Sequence, residues 1–112
     1  MRYSQLRAFH FVALHGGFSS AARALNQSQP SLSDHVRQLE QLHDTLLFHR
    51  EKKHVRLTEA GDELFLLTRQ FFDVEEQIGL CLSKRQHQLR GKLRVVADSA
   101  LHITASLSAF RA

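Results

Sequence analysis

The chain has few of the residues that cross-link a fold or interrupt it. Its 112 residues include one cysteine, one proline, five glycines and no tryptophan. The lone Cys81 excludes an internal disulfide and is typical of a reducing compartment. No apolar run reaches the roughly 18 residues that a membrane span needs. Met1 leads straight into an amphipathic pattern, so we expect no secretory signal, no membrane association and a cytoplasmic location.

The composition favours a mostly helical fold, because turn-forming residues are rare while 43% of the residues are hydrophobic. Charge is unevenly distributed along the chain. Residues 1–57 hold eight Lys or Arg against four acidic residues, residues 58–87 hold three against six, and residues 88–112 hold four against one. A polyanion should therefore bind the first segment and avoid the second. The alternative for this pattern is a generally basic protein with no such partner.

Two short helical patterns separated by a tight break predict a helix-turn-helix. The first covers residues 19–25, the break covers 26–28, and the second covers 29–40. Small alanines in the first helix allow close approach, and the apolar residues Leu25, Leu32, Val36 and Leu39 recur at helical spacing. We expect Phe18 to enter the core, Ser19 to cap the first of these helices and Ser28 to cap the second, with Pro30 in its first turn.

The start of the second helix carries short polar groups that suit a DNA major groove. Five residues would lie on its outer side and contact bases: Gln29, Pro30, Ser31, Ser33 and Asp34. Glutamine can pair with adenine, an aspartate can accept a hydrogen bond from cytosine, and a proline ring can contact a thymine methyl group. The alternative for Asp34 is that its carboxylate orients Arg37 or His35 without touching a base.

A small β-hairpin should follow, with strands at residues 46–50 and 55–57 joined by residues 51–54. Thr58 then caps a long helix in which apolar residues repeat at alternating spacings of four and three. We expect this heptad surface to form a dimer interface, the alternative being that it packs within its own domain. Its dimerisation residues are Leu64, Leu67, Phe71, Val74, Ile78 and Cys81. Phe65 and Phe72 form a second stripe that can pack on the first helix.

Taken in order, these blocks resemble the N-terminal DNA-binding domain of LysR-type transcriptional regulators. The chain departs from the family pattern at His43-Asp44, where Leu-Gly is usual, and at Asp34, where many members carry a basic or polar residue. Asp tolerates the left-handed conformation, so we expect the turn to survive. The resemblance runs through Phe9, Gly17-Phe18-Ser19, Ala21-Ala22, Leu25, Ser28-Gln29-Pro30, Ser33, Val36, Leu39-Glu40, Leu47-Phe48, Arg50, Leu57-Thr58-Glu59-Ala60-Gly61, Gly91 and Leu93-Arg94.

The resemblance implies a mostly α fold, namely a winged helix-turn-helix with a three-helix core and a short hairpin wing, followed by a long linker helix. It divides the chain into a DNA-binding domain (1–58), a dimerisation helix (59–87), and a hinge with the truncated start of an effector-binding domain (88–112). We expect residues 83–88 to fray or hinge and a strand to begin at Leu93. Ser99 and Thr104 would lie near the start of the effector pocket.

Partners follow from the same resemblance: a double-stranded DNA operator and a second copy of the chain, with a tetramer as an alternative for the full-length form. A small-molecule inducer is expected only where the effector domain is present. Arg50 has an alternative role in bracing the wing against Glu40. For contacts to the DNA backbone and the minor groove we select Ser19, Ser28, Arg37, Arg50, Lys52, Lys53 and His54, with Arg23 as a further candidate.

Other classes of function find little support. The eight histidines are scattered, with no paired cysteines and no His-Glu-x-x-His pattern, so we expect no metal and no cofactor. No nucleophile paired with a base and no carboxylate dyad stands out, so the chain is not expected to be an enzyme. Two alternatives are kept: a coiled-coil interaction module that does not bind DNA, and a zinc enzyme that uses His49 and His54.

Overall fold

In the described part of the chain, the fold consists of three short helices, a two-stranded hairpin and one long helix, and it confirms the predicted winged helix-turn-helix with a linker helix. The computed structural model describes residues 1–50 and 54–95. The elements, in chain order, are α1 (Tyr3–His15), α2 (Phe18–Leu25), α3 (Gln29–Leu42), β1 (Phe48–Arg50), β2 (Val55–Leu57) and α4 (Glu59–Val95).

The helices end where the sequence provides residues that adopt a left-handed conformation. Gly16 (φ 74°) closes α1 by donating its N–H to the Val12 carbonyl, 2.9 Å away. Asn26 (φ 53°) closes α2, and Asp44 (φ 47°) lies two residues beyond the end of α3. The prediction that Asp44 keeps the left-handed turn is therefore confirmed.

The helix starts confirm one predicted cap and correct another. The Ser28 hydroxyl accepts a hydrogen bond from the Ser31 N–H at 3.2 Å, and Pro30 lies in the first turn of α3. Ser19 does not cap α2, because the helix already begins at Phe18 with Gly17 as its extended N-cap. The second glycine of the Gly16-Gly17 pair thus provides the turn into α2, and Ser19 falls inside the first helical turn.

A core formed by α1, α2, α3 and the start of β1 fixes the orientation of α3. The Phe9 side chain is fully buried and its ring lies 5.3 Å from that of Phe48, which joins the wing to the helices. Phe18 packs against this cluster from the start of α2. The buried members are Ala8, Phe9, Val12, Ala21, Ala22, Leu32, Val36, Leu39, Leu47 and Phe48.

The two strands of the hairpin are antiparallel. Phe48 pairs with Leu57, His49 with Arg56 and Arg50 with Val55. The first strand begins at Phe48 and not, as predicted, at residue 46.

Thr58 and Gly61 form the junction between the hairpin and α4. The Thr58 hydroxyl accepts the Gly61 N–H at 3.0 Å, as the predicted cap requires, and donates to the Leu46 carbonyl at 2.7 Å. Gly61 approaches so closely that a Cβ atom there would collide with the Leu47 carbonyl oxygen. Only glycine fits this position without a shift of the backbone.

The first part of α4 packs on α1 through a buried histidine, as the predicted second stripe requires. The His10 ring lies 5.5 Å from that of Phe65 and 4.6 Å from that of Phe72. Its Nδ1 is 2.9 Å from the Thr68 hydroxyl, and both residues are buried. Burial, and next the positive charge of Arg69, lower the pKa of His10 below its ordinary 6.5.

The far part of α4 corrects two expectations. Residues 83–88, expected to fray or hinge, are helical, and so are residues 93–95, where a strand was expected to begin. Local propensity was a poor guide here, because the polar residues and the short segment that begins at Leu93 continue the helix that already precedes them. Ser99 and Thr104 lie outside the described residues, and the domain boundaries stay predictions. Within the described residues, no helix has a stretch long and apolar enough to cross a bilayer.

Candidate nucleic-acid interface

Helix α3 has one face in the core and the opposite face in solvent. Leu32, Val36 and Leu39 are almost completely buried. Successive residues of an α-helix are rotated by about 100°, so the side directly opposite these three carries positions 30, 34, 37 and 41. All four of these positions are exposed. The fold therefore presents an outward stripe, defined here as Pro30, Asp34, Arg37 and Gln41.

Most of the predicted base-contacting residues lie together on this open surface. Gln29, Pro30, Ser31 and Asp34 are exposed, whereas Ser33 is half-buried. They occupy the first two turns of α3, beside the Ser28 cap. That end of a helix attracts anions, which suits an approach to a phosphate backbone.

An ion pair joins two members of the outward stripe. The Arg37 Nη1 donates to the Asp34 Oδ1 at 2.9 Å, and both side chains are largely open to solvent, at 51% and 60% exposure. The Nδ1 of His35 is buried and finds no hydrogen-bond partner within the described part of the chain. Of the two side chains that Asp34 was expected to orient as an alternative, it contacts Arg37, and its contact to a base stays a prediction.

A second carboxylate, that of Glu40 on the buried side of α3, forms hydrogen bonds with the wing and the segment before it. Glu40 is almost fully buried, and its Oε2 accepts the Leu47 N–H at 2.8 Å. Its Oε1 accepts from the Arg50 Nη2 at 3.2 Å. The Arg50 guanidinium also lies 5.4 Å from the centre of the Phe18 ring. Arg50 therefore adopts the bracing geometry that was the alternative to a DNA contact, and it links α2, α3 and β1.

The outer face of the wing presents basic residues that the sequence reasoning overlooked. His49 and Arg56 are cross-strand partners and both are exposed. A groove of about 600 Å³ runs between α3 and β1, with Arg37 and Gln41 on one side and His49 and Arg50 on the other. The period of two along β1 was the signal available, because Phe48 faces inward and its neighbour His49 must face outward.

The remaining predicted contact residues fall into two groups. Ser19, Arg23, Ser28 and His54 are exposed, as a contact to DNA requires. Lys52 and Lys53, at the predicted tip of the wing, lie outside the described residues.

The predicted dimerisation surface is open to solvent over most of its length. Leu67, Phe71, Val74, Ile78 and Cys81 are exposed. Leu64 differs from them, because it is half-buried and packs against the core of the first three helices.

No group of three or more metal-ligating side chains occurs within residues 1–50 and 54–95.

Comparison with known proteins agrees with this geometry. The family model for bacterial regulatory helix-turn-helix proteins of the lysR family matches residues 3–62. The RuBisCO operon transcriptional regulator of Allochromatium vinosum is 39% identical over 101 residues, which are 90% of this chain and 33% of that protein. The chain thus spans about a third of the length of this curated relative.

Two solved structures share the fold. A full-length OxyR variant from Pseudomonas aeruginosa has a TM-score of 0.70 at 30% identity, covering 80% of this chain and 30% of that one. The BenM DBD in complex with catB site 1 DNA has a TM-score of 0.69 at 27% identity, covering 76% of this chain and 93% of that one.

The fold and the exposed α3 surface define a winged helix-turn-helix domain with a linker helix, a class of DNA-binding module. Within that class, the chain belongs to the LysR family of bacterial regulatory helix-turn-helix proteins. This is a family of transcriptional regulators and not of enzymes, as the sequence predicted.

Proposed function

We propose that this chain is the DNA-binding head and linker helix of a LysR-type transcriptional regulator that reads operator half-sites as a homodimer. Helix α3 enters the major groove, and the wing contacts the adjacent minor groove. The observation that carries the proposal is the exposed polar surface at the start of α3, in a family whose solved members include complexes with DNA.

The start of α3 is suited to base recognition because its exposed side chains are short and polar. Gln29 offers both a donor and an acceptor, which matches the major-groove edge of adenine. Ser31 is short enough to let the helix approach closely. The buried face of α3 holds the helix rigidly, so that these groups reach the bases from a fixed position.

The wing supplies charge rather than base contacts. His49 and Arg56 on its outer face, with Lys52, Lys53 and His54 towards its tip, would follow the sugar-phosphate backbone into the minor groove. The contact of Arg50 with Glu40 fixes the angle between wing and α3, so both can engage one duplex together.

A second copy of the chain is the proposed partner of the exposed surface on α4. Leu67, Phe71, Val74, Ile78 and Cys81 lie at heptad spacing, and all five are open to solvent in the single chain. Two DNA-binding domains joined by paired α4 helices would read two half-sites of a partly symmetric operator. A small-molecule inducer, and a tetramer as an alternative assembly, would apply only where an effector-binding domain is present, and the regulator would act in the cytoplasm.

The experiment compares a base-reading variant with a backbone-contact variant on selected duplexes. Duplexes bound by the full chain are first selected from a randomised pool, and affinity is then measured on selected and random DNA over a range of salt. Gln29→Ala should lower discrimination at one base position by about 1–3 kcal/mol. Lys52→Ala should weaken binding to all sequences and reduce the salt slope by about one.

Matched controls come from exposed residues of α4. Gln70→Ala and Lys84→Ala change the same residue types away from the proposed interface and should leave affinity and salt slope unchanged. Equal losses on selected and random DNA from Gln29→Ala would contradict the assignment of α3. A random pool from which the wild-type chain selects nothing, with no salt-dependent affinity, would favour the interaction module instead.

A further inference from the structure

Arg37 lies with the base-facing residues of α3, although its residue type suggested a contact to phosphate. It follows Asp34 by three residues and Pro30 by seven, so all three side chains lie on the same exposed side of α3. A residue at the edge of α3 would meet the walls of the groove, where the phosphates are. A residue that shares the side of the predicted base contacts meets the floor of the groove, where the base edges are.

The charge on α3 also argues against a simple phosphate contact. Arg37 is the only Lys or Arg between residues 29 and 42, and Asp34 and Glu40 are the two acidic residues of the same helix. The Asp34 carboxylate, 2.9 Å from the guanidinium, cancels most of the charge that would attract a phosphate. An arginine intended for phosphate gains little from such a neighbour, because a carboxylate close to the backbone is itself repelled.

The Asp34 carboxylate would instead favour a contact of Arg37 with a base, because it orients the guanidinium. A guanidinium has five N–H donors in a planar fork, and the contact with Asp34 uses one of the two Nη1 donors. Fixing that side restricts the rotation of a long side chain, whose disorder otherwise opposes binding. The opposite edge of the fork then keeps the paired donors that match the O6 and N7 acceptors of guanine.

We propose that Arg37 reads a guanine in each half-site and that Asp34 is the positioning residue that aims it. This inference rests on the proposed DNA-binding function. It exchanges the roles that the sequence suggested, since Arg37 moves from the DNA backbone to a base and Asp34 moves from a base to its neighbour Arg37. Recognition of guanine by Arg37 adds a specificity element about two turns beyond Gln29 and Pro30.

The test is a selection of duplexes from a randomised pool with the full chain and three variants. Arg37→Lys keeps the charge but removes the fork, Asp34→Ala removes the positioning carboxylate, and the third variant combines both changes. Arg85→Lys, an exposed exchange of the same kind on α4, is the matched control. The measured quantity is the enrichment of each base at each position, followed by affinity on the selected duplex and on its single-base variants.

For the wild type we expect one guanine position whose preference Arg37→Lys lowers by about 5- to 100-fold, with the other positions unchanged. Asp34→Ala should lower the same preference by a smaller factor and tighten binding to random DNA. In the Arg37→Lys background it should cause no further loss at that position, because its effect passes through Arg37. A structural defect would instead reduce all preferences together.

Three results would overturn the inference while leaving the DNA-binding function intact. The first is a guanine preference that survives Arg37→Lys, which would mean that the guanidinium fork does not read the guanine. The second is a selection in which no position differs between the wild type and Arg37→Lys. The third is a separate preference that Asp34→Ala removes in the Arg37→Lys background, which would make Asp34 a direct base reader. If the wild-type chain selects no sequence, the proposed function fails as well, and the two failures are thereby distinguished.

Discussion

The two ends of α4 have similar apolar patterns but different surroundings. In residues 59–72, Phe65 and Phe72 pack against α1, and Thr68 is almost completely buried. In residues 73–88 every described side chain is exposed, including Val74 at 51% and Ile78 at 55%. One part of the helix is therefore stabilised by its own head, defined here as residues 1–72. The side chains of residues 73–88 are not buried in this way, so they do not stabilise that part of the helix by packing.

This difference assigns separate roles to similar residues. Apolar side chains in the head contribute to folding, because burying each one stabilises the native state by roughly 1.5–3 kcal/mol. For the apolar side chains in residues 73–88 we propose a role in association, since helices in proteins owe most of their stability to a packed face. Substitutions in the two regions should therefore change different measured quantities.

The largest expected effect is on the folding of the head. Phe9→Ala removes a fully buried ring that contacts Phe48, so it should lower the free energy of unfolding by about 3–5 kcal/mol. Chemical denaturation followed by circular dichroism measures the loss. Leu46→Ala, which truncates a side chain that is 68% exposed, is the control and should change stability little. Comparable losses from the two variants would show that the core is wrongly placed.

A charge on the exposed face of α4 should weaken association of the chain and leave the stability of the head unchanged. Ile78→Glu should raise the dimer dissociation constant by at least about tenfold, because a carboxylate would enter an apolar interface. The denaturation midpoint of the head measured at high dilution should not change. Sedimentation at a series of concentrations measures the dimer, and Gln77→Glu on a neighbouring exposed position is the control. Unchanged association would place the dimer interface elsewhere.

Much of the head could be predicted from the sequence because its signals are local. The spacing of Leu32, Val36 and Leu39 determined which side of α3 is buried, and Ser28 with Pro30 marked its start. By contrast, the partners of long charged side chains depend on tertiary packing. The contact of Arg50 with Glu40 was only one alternative until the wing was placed beside α3.

The start of α2 and the far end of α4 show why other predictions were wrong. Ser19 has the chemistry of a cap, but Gly17 provides the extended backbone one residue earlier, so the helix begins before it. The short run that begins at Leu93 suggested a strand, but residues 93–95 are helical. Such a run is too short to specify a strand against the continuation of an existing helix.

A smaller effect is expected at the start of α3. Ser28→Ala removes the hydroxyl that accepts the Ser31 N–H, so the free energy of unfolding should fall by about 1 kcal/mol. Ser28→Asp should retain most of the stability, because a carboxylate also accepts at an N-cap. Thermal denaturation of the pair measures the difference. A loss from Ser28→Asp as large as that from Ser28→Ala would show that the hydroxyl does not act as a cap.

The weakest expected effect is a pH dependence that originates at the contact between α1 and α4. Burial and the nearby charge of Arg69 lower the pKa of His10, so the unfolded chain binds the proton more readily than the folded one. Stability should therefore be complete above the ordinary pKa of 6.5 and decline as the pH falls towards the lower folded pKa. Denaturation between about pH 7 and pH 5 measures the slope.

His10→Phe separates this titration from those of the other histidines. Phenylalanine keeps a ring among Phe11, Phe65 and Phe72 but binds no proton, so the decline in stability over this pH range should become shallower even if the absolute stability changes. His43→Phe, at an exposed position beyond α3, should leave the slope as it is in the wild type. A wild-type slope that persists in His10→Phe would mean that the proton is taken up elsewhere, and the buried contact between α1 and α4 would then be insensitive to pH.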